Sequence, residues 1–345
     1  MRHTSFQTAI KELQKLSSLK EDYLVKAHSL MMLDDGRIEI PAHGLFKGTD
    51  HFHSQLSDKL KIPRQYYDRM LTSEENKFLL AINANHWLRK FEKRHLVRTY
   101  KGTEGIARAI LSDSYKPIEN EDILNALLEA ITPNYIIDEF NLDDKNFYIS
   151  VVSDVEINAK EMLKNYSANE HALIGGFIIR NSEVGAGAFE IMARAVIKVC
   201  NNGLLVKDDS FRKVHLGAKL DESFWSQRTR EQNKRLIVSQ IKDYASRFCS
   251  KDFLVSIVEK YSAFNQEAKN PTGLVERVGK EVKIDAELLK RYLYKRGDFS
   301  YFGIAQSVTE SAQVLPTGTQ QFEAEEKAYQ LLPSLHKWDS ELSKN

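Results

Sequence analysis

Cysteine is nearly absent from this 345-residue chain: Cys200 and Cys249 are the only two. That excludes a disulfide-rich secreted scaffold and a four-thiolate zinc site within one chain. Proline (7) and glycine (16) are scarce as well, which excludes a collagenous or low-complexity chain. An excess of one charge is missing. Lysine and arginine number 49 against 48 aspartates and glutamates, so the global balance points to neither nucleic acid nor a membrane surface. Long apolar runs are missing too. The longest nearly apolar stretch, Ala172 to Ile179, falls far short of the about 20 residues a spanning helix needs. The opening Met1-Arg2-His3-Thr4-Ser5-Phe6 lacks the apolar core of a signal peptide. The expectation is a soluble, cytoplasmic protein with no membrane partner. No phosphate-binding Gly-rich loop with a following Lys-Ser/Thr occurs, and Gly185-Ala186-Gly187 lacks the strand–turn–helix setting of a dinucleotide site. No cofactor is expected.

What is present is a chain long enough to bury a real core. Apolar spacing predicts a helix over Thr4 to Leu19, a turn at Asp34-Asp35-Gly36 and a short strand through Ile38 and Ile40. Ser54 to Leu71 reads as helix, turn, helix, with Pro63 opening the second. Leu79 to Phe91 reads as a helix, followed at once by a strand over Leu96 to Lys101. Ile106 to Ile131 reads as two helices broken at Ser114 to Pro117. Phe147 to Glu156 alternates as a half-buried strand, His171 to Arg180 is a second, and Ala188 to Cys200 a third. Asn201-Asn202-Gly203 is a hairpin signal returning into Leu204-Leu205-Val206. Beyond Asp221 the period turns helical, with Pro271 opening one helix, Asp285 capping another and a last one over Glu323 to Leu332. The fold class is α+β: an antiparallel meander with flanking helices over residues 1–218, then a mainly helical region over 219–345.

Three stretches occur in a telling order: Ala109-Ile110-Leu111-Ser112-Asp113-Ser114-Tyr115-Lys116-Pro117-Ile118, then Asn181-Ser182-Glu183-Val184-Gly185, then Val199-Cys200-Asn201-Asn202-Gly203. Together with Ile62 to Tyr67, Asn83 to Leu88 and Ile304 to Ala312, this pattern resembles the phage and plasmid-like "domain of unknown function 932" family. The resemblance runs over about residues 50 to 335 and thins towards the C-terminus. It implies a phage, prophage or plasmid setting and a mixed fold with an antiparallel sheet bearing these turns; it supplies no catalytic residues. A remoter similarity, of fold class and genetic context, is to the single-strand annealing proteins of phage recombination systems.

Charge is unevenly placed along the chain. Residues 86–101 carry six cations, Arg89, Lys90, Lys93, Arg94, Arg98 and Lys101, against Glu92 alone, with Trp87, Phe91 and Tyr100 interleaved. At about 100° per residue, a helix gathers Arg89, Lys90, Lys93 and Arg94 on one face and sets Trp87, Leu88 and Phe91 opposite. Cations in this pattern track phosphates, and aromatic faces stack on bases; the competing reading is a solvated helix face. Arg180, Arg194 and Lys198 on the strands are candidates for the same groove. Residues 104–145 hold ten carboxylates against three cations. The two blocks suit head-to-tail self-association, unless folding mixes them.

Other chemistry is thinner. His43, His51 and His53 beside Asp50 lack a third ligand at metal spacing. Asp154, Glu156 and Glu183 would be the carboxylates of a metal-dependent nuclease, but no lysine stands two residues past a strand acid. Cys200 has no histidine that sequence can pair with it and reads as a buried structural thiol. Leu56 to Leu71 and Leu274 to Leu293 are helix–turn–helix lookalikes. The expectation is a non-enzymatic nucleic-acid-binding protein, single-stranded DNA suspected, that forms a homo-oligomer. The alternatives are a module binding a host or phage protein and a metal-dependent nuclease.

Overall fold

The computed structural model describes residues 6–167, 170–197, 202–213 and 227–343. Helix α1 (Phe6–Leu19) runs directly into strand β1 (Lys20–Lys26). A single 3-10 turn leads to β2 (Met31–Met32), β3 (Ile38–Ile40) and β4 (Gly44–Gly48). Three helices follow, α2 (Asp50–Leu60), α3 (Arg64–Thr72) and α4 (Lys77–Leu88), then β5 (Arg94–Tyr100) and β6 (Gly105–Ser112). These six strands form one sheet in the order β1-β5-β6-β4-β3-β2, antiparallel except for the parallel pair β4 and β6.

Helix α5 (Asn120–Ala130) opens the second body. Its sheet is an antiparallel meander of β7 (Tyr135–Leu142), β8 (Phe147–Asn158), β9 (Ala172–Asn181), β10 (Phe189–Ile197) and β11 (Asn202–Lys213), in the order β11-β10-β9-β8-β7. The strand reading of Ala188 onward is therefore right, and Phe189, Ile191 and Ile197 are all fully buried. The C-terminal third is helical: α6 (Gln227–Phe248), α7 (Lys251–Ser262), α8 (Pro271–Val282), α9 (Ala286–Arg296), α10 (Tyr301–Ala312), α11 (Gly318–Gln330) and α12 (Leu332–Leu342). Local chemistry sets their starts. Asp285 accepts from the backbone N–H of Glu287, Asn270 precedes Pro271 and accepts from Gly273, and Thr317 with Gln320 forms a reciprocal capping box.

Two apolar cores result. The smaller joins the first sheet to α2–α4, with Phe52, Tyr67, Leu80 and Val97 at its centre. The larger joins one face of the meander to α5 and the C-terminal helices. A division at 218/219 thus runs through the larger core, which takes residues from both sides of it. The meander's other face is covered where Tyr148 stacks on Phe322 of α11, ring centroids 4.3 Å apart. At the turn from α6 to α7 the backbone presses on β9: a Cβ at Gly175 would stand 2.9 Å from the Cα of Cys249.

Two sequence expectations change. Residues 105–112 are the strand β6, not a helix. Five consecutive residues, Ala107 to Leu111, are buried, because β6 is a central strand covered on both faces, and this hides the alternation. The helix expected to reach Phe91 stops at Leu88. Phe91 turns back onto the smaller core, and the carbonyls of Phe91 and Lys93 accept from His28 and Ala27. Those cross-chain bonds replace further helical ones.

Candidate functional site

Because α4 ends early, the basic stretch is a turn, not a helix face. Arg89, Lys90, Lys93 and Arg94 are exposed on the connection from α4 to β5, and none pairs with a carboxylate among the described residues. The turn also brings Lys90 round to Trp87, which lies in the last turn of α4. The helical projection sets it opposite the cations, whereas the Lys90 ammonium lies over its ring, 4.6 Å from the centroid, and the ring is 41% exposed. Four exposed cations, the exposed carboxylate of Glu92 and a half-exposed indole thus fall within residues 87–94.

The remaining candidates lie outside this segment. Lys101 is exposed but lies at the far end of β5, about 23 Å from Arg94 along the strand. Its ammonium is 3.1 Å from Glu21. Arg98 is only 1% exposed and belongs to an internal network. Arg194 is 2% exposed; its guanidinium donates to Asp138 at 3.0 Å and to the Ser150 hydroxyl. Arg180 lies beside the Tyr148 ring, with Glu190 at 3.9 Å. Arg98 and Arg194 are therefore corrected from surface contacts to buried structural cations, each facing a carboxylate on an adjoining or nearby strand. Lys198 and Cys200 lie outside the described residues.

The internal network is the chain's densest group of buried charge. Arg98 on β5 sits opposite Asp22 on β1 and donates to it at 3.0 Å. It also donates to Glu119 at 2.6 Å and to the backbone carbonyl of Glu183 at 2.9 Å. The Glu183 carboxylate accepts from Lys20, from Arg108 at 2.9 Å and from the backbone N–H of Asn120 at 2.8 Å. Lys20 also reaches Glu119 at 2.8 Å. Three cations meet three carboxylates. Burial alone would raise the Glu183 carboxyl, but Lys20, Arg108 and Arg98 outweigh it and hold the group well below the usual carboxylate range. Burial and the charge of Glu183 push Glu119 the other way.

This network ties the two sheets together. Lys20, Arg98 and Arg108 come from β1, β5 and β6, while Glu183 comes from the loop between β9 and β10. The rest of that loop is anchored as tightly. Asn181 donates to the carbonyl of Ile118 and the side chain of Asn120, and Tyr115 donates to the carbonyl of Ser182. Gln55 and His51 hold the carbonyl of Val184, and Gly185 turns the chain at φ +79°. Two of the three stretches behind the family resemblance, 109–118 and 181–185, meet here. Their composition follows from joining two sheets with satisfied polar groups.

The folded chain mixes the two charge blocks in part: Arg98 takes Glu119, while Asp138 of the acidic block is taken by Arg194, which lies outside both. Beside the network lies a cavity of about 650 Å³ whose lining includes Arg108, Tyr100, Lys47, Glu12, Glu104 and Asp144. Arg108 stacks on Tyr100, 4.1 Å from the centroid, so its charge is already engaged. The histidines diverge. His53 bonds the Tyr67 hydroxyl, and burial lowers its pKa to about 4; His43 stacks on Tyr23; His51 faces Val184. Asp154 and Glu156 are exposed on β8, whereas Glu183 is buried among cations. Among the described residues no three such groups stand close enough to share a metal ion, and no helix is long and apolar enough to cross a membrane. Comparison of the chain with protein-family models, curated proteins and solved structures finds no match.

Proposed function

We propose that this protein binds nucleic acid without catalysing a reaction on it, through the turn that joins α4 to β5. A phage, prophage or plasmid setting for that role is what the sequence's resemblance to the phage and plasmid-like family would imply. The observation that carries the reading is the patch itself: Arg89, Lys90, Lys93 and Arg94 exposed without carboxylate partners among the described residues, around the half-exposed Trp87. Phosphates would displace counterions from the four cations. A base could take the place of the Lys90 ammonium on the indole face, which favours single strands, whose bases are free to stack.

A salt titration of a labelled single-stranded oligonucleotide tests this. Four engaged cations predict a slope of log affinity on log salt near −3, at about −0.7 per phosphate on single strands. Replacing Arg89, Lys90 and Arg94 together by alanine should flatten the slope by about two and weaken all sequences alike. Trp87→Ala should lower affinity by about 1–3 kcal/mol and leave the slope unchanged. Absence of wild-type binding at about 50 mM salt, where electrostatic binding is near its strongest, would remove the proposal.

A further inference from the structure

Helix α4, KFLLAINANHWL, carries apolar side chains on two opposite sides, with Asn83 and Asn85 between them. One side, Leu80, Ala81, Ala84 and Leu88, is buried in the smaller core. The opposite side remains apolar and open: Phe78 is 45% exposed, Leu79 43% and Ile82 61%, with His86 exposed one turn further on. Phe78, Ile82 and His86 are four apart and form a single stripe, with Leu79 on its flank.

The ends of this stripe carry opposite charge. Glu74 and Glu75 are exposed just before the helix, Glu74 also accepting from Lys77 at 2.6 Å, and Arg89 and Lys90 are exposed just after it. The spacing is symmetric about Ile82. Glu75 precedes it by as many residues as Arg89 follows it, and the same holds for Glu74 with Lys90 and for Phe78 with His86. A surface that is apolar at its middle and charge-inverted about that middle complements itself when turned through two-fold rotation.

We infer that α4 is the contact between two copies of this chain, packed antiparallel across a two-fold axis near Ile82. Ile82 meets its own copy, Phe78 meets His86 of the second molecule, and Glu75 and Glu74 meet Arg89 and Lys90 of the second molecule at both ends. The helix is 12 residues long, so about 18 Å of stripe is covered. At a helix width of about 10 Å the stripe covers on the order of 200 Å², well below the about 800 Å² per partner of a standard stable interface, and the dimer is therefore weak and concentration-dependent. The two basic turns would stand about 21 Å apart along the paired helices. The inference does not rest on nucleic-acid binding, and a strand engaging the turn would compete with the second molecule for Arg89 and Lys90.

Sedimentation velocity on the full chain without nucleic acid, at low salt and up to high micromolar protein, tests it. The wild type should approach twice the chain mass as concentration rises. Ile82→Glu should stay at the chain mass with unchanged circular dichroism, because the residue is exposed. Glu75→Lys and Arg89→Glu should each weaken the dimer when alone. Mixed in equal amounts they should recover it, since every end contact is again between opposite charges. A wild type that is monomeric throughout, an Ile82→Glu protein that still dimerises, or a mixture no heavier than its components would each overturn the inference.

Discussion

Glu183 stands 2% exposed between Lys20 and Arg108, at the point where the two sheets meet. Glu183→Gln keeps the shape and removes the charge, which leaves Lys20 and Arg108 buried without their shared anion. A loss of about 3–5 kcal/mol is expected, measured by denaturant unfolding. The pH dependence has a fixed sign. The folded carboxyl is held below its ordinary value of 4.5, so its contribution is complete above about pH 4.5 and declines as pH falls towards the lower folded value. The gap between wild type and Glu183→Gln should therefore be widest near neutrality and narrow in acid. A constant gap would mean that the charge is not what holds the loop. Arg98 makes the matching point about reading cations from sequence. Its place in a basic run says nothing of Asp22, which only the β1–β5 register sets opposite it.

At the scale of elements, the meander was legible because its alternation survives in the chain: Phe147, Ile149 and Val151 on one face, Phe189 and Ile191 two strands away. Ile191 is fully buried beneath the helices, so Ile191→Asp sets an unpaired charge in the larger core. At least about 4 kcal/mol should be lost, read as a lowered denaturation midpoint or as insoluble protein. A mild effect would mean that the strand is less enclosed than the structure has it. The first sheet was poorly legible for physical reasons. β6 is covered on both faces and shows no alternation, β2 is two residues long, and β1 continues α1 without a break. The cation patch was half legible. Composition located its residues, but the helical projection put Trp87 on the wrong side, because the bonds from His28 and Ala27 that end α4 early come from a distant part of the chain.

The whole molecule is two apolar cores joined through a charged seam. That seam draws on the ionised form of Glu183, which the fold favours, and the core on the first sheet is the smaller. Hydrogen exchange should show residues 94–111 and 147–197 protected to similar degrees near neutral pH. In mild acid the first group should open before the second. Loss of both together at every pH would show one cooperative unit. The contact of Gly175 with Cys249 binds the larger body differently, backbone against backbone, with no room for a methyl group between. Its consequence is historical. A lineage in which residue 175 gains a side chain must first have shifted the corner between α6 and α7, so these two positions, far apart in the chain, are free to diverge only in concert.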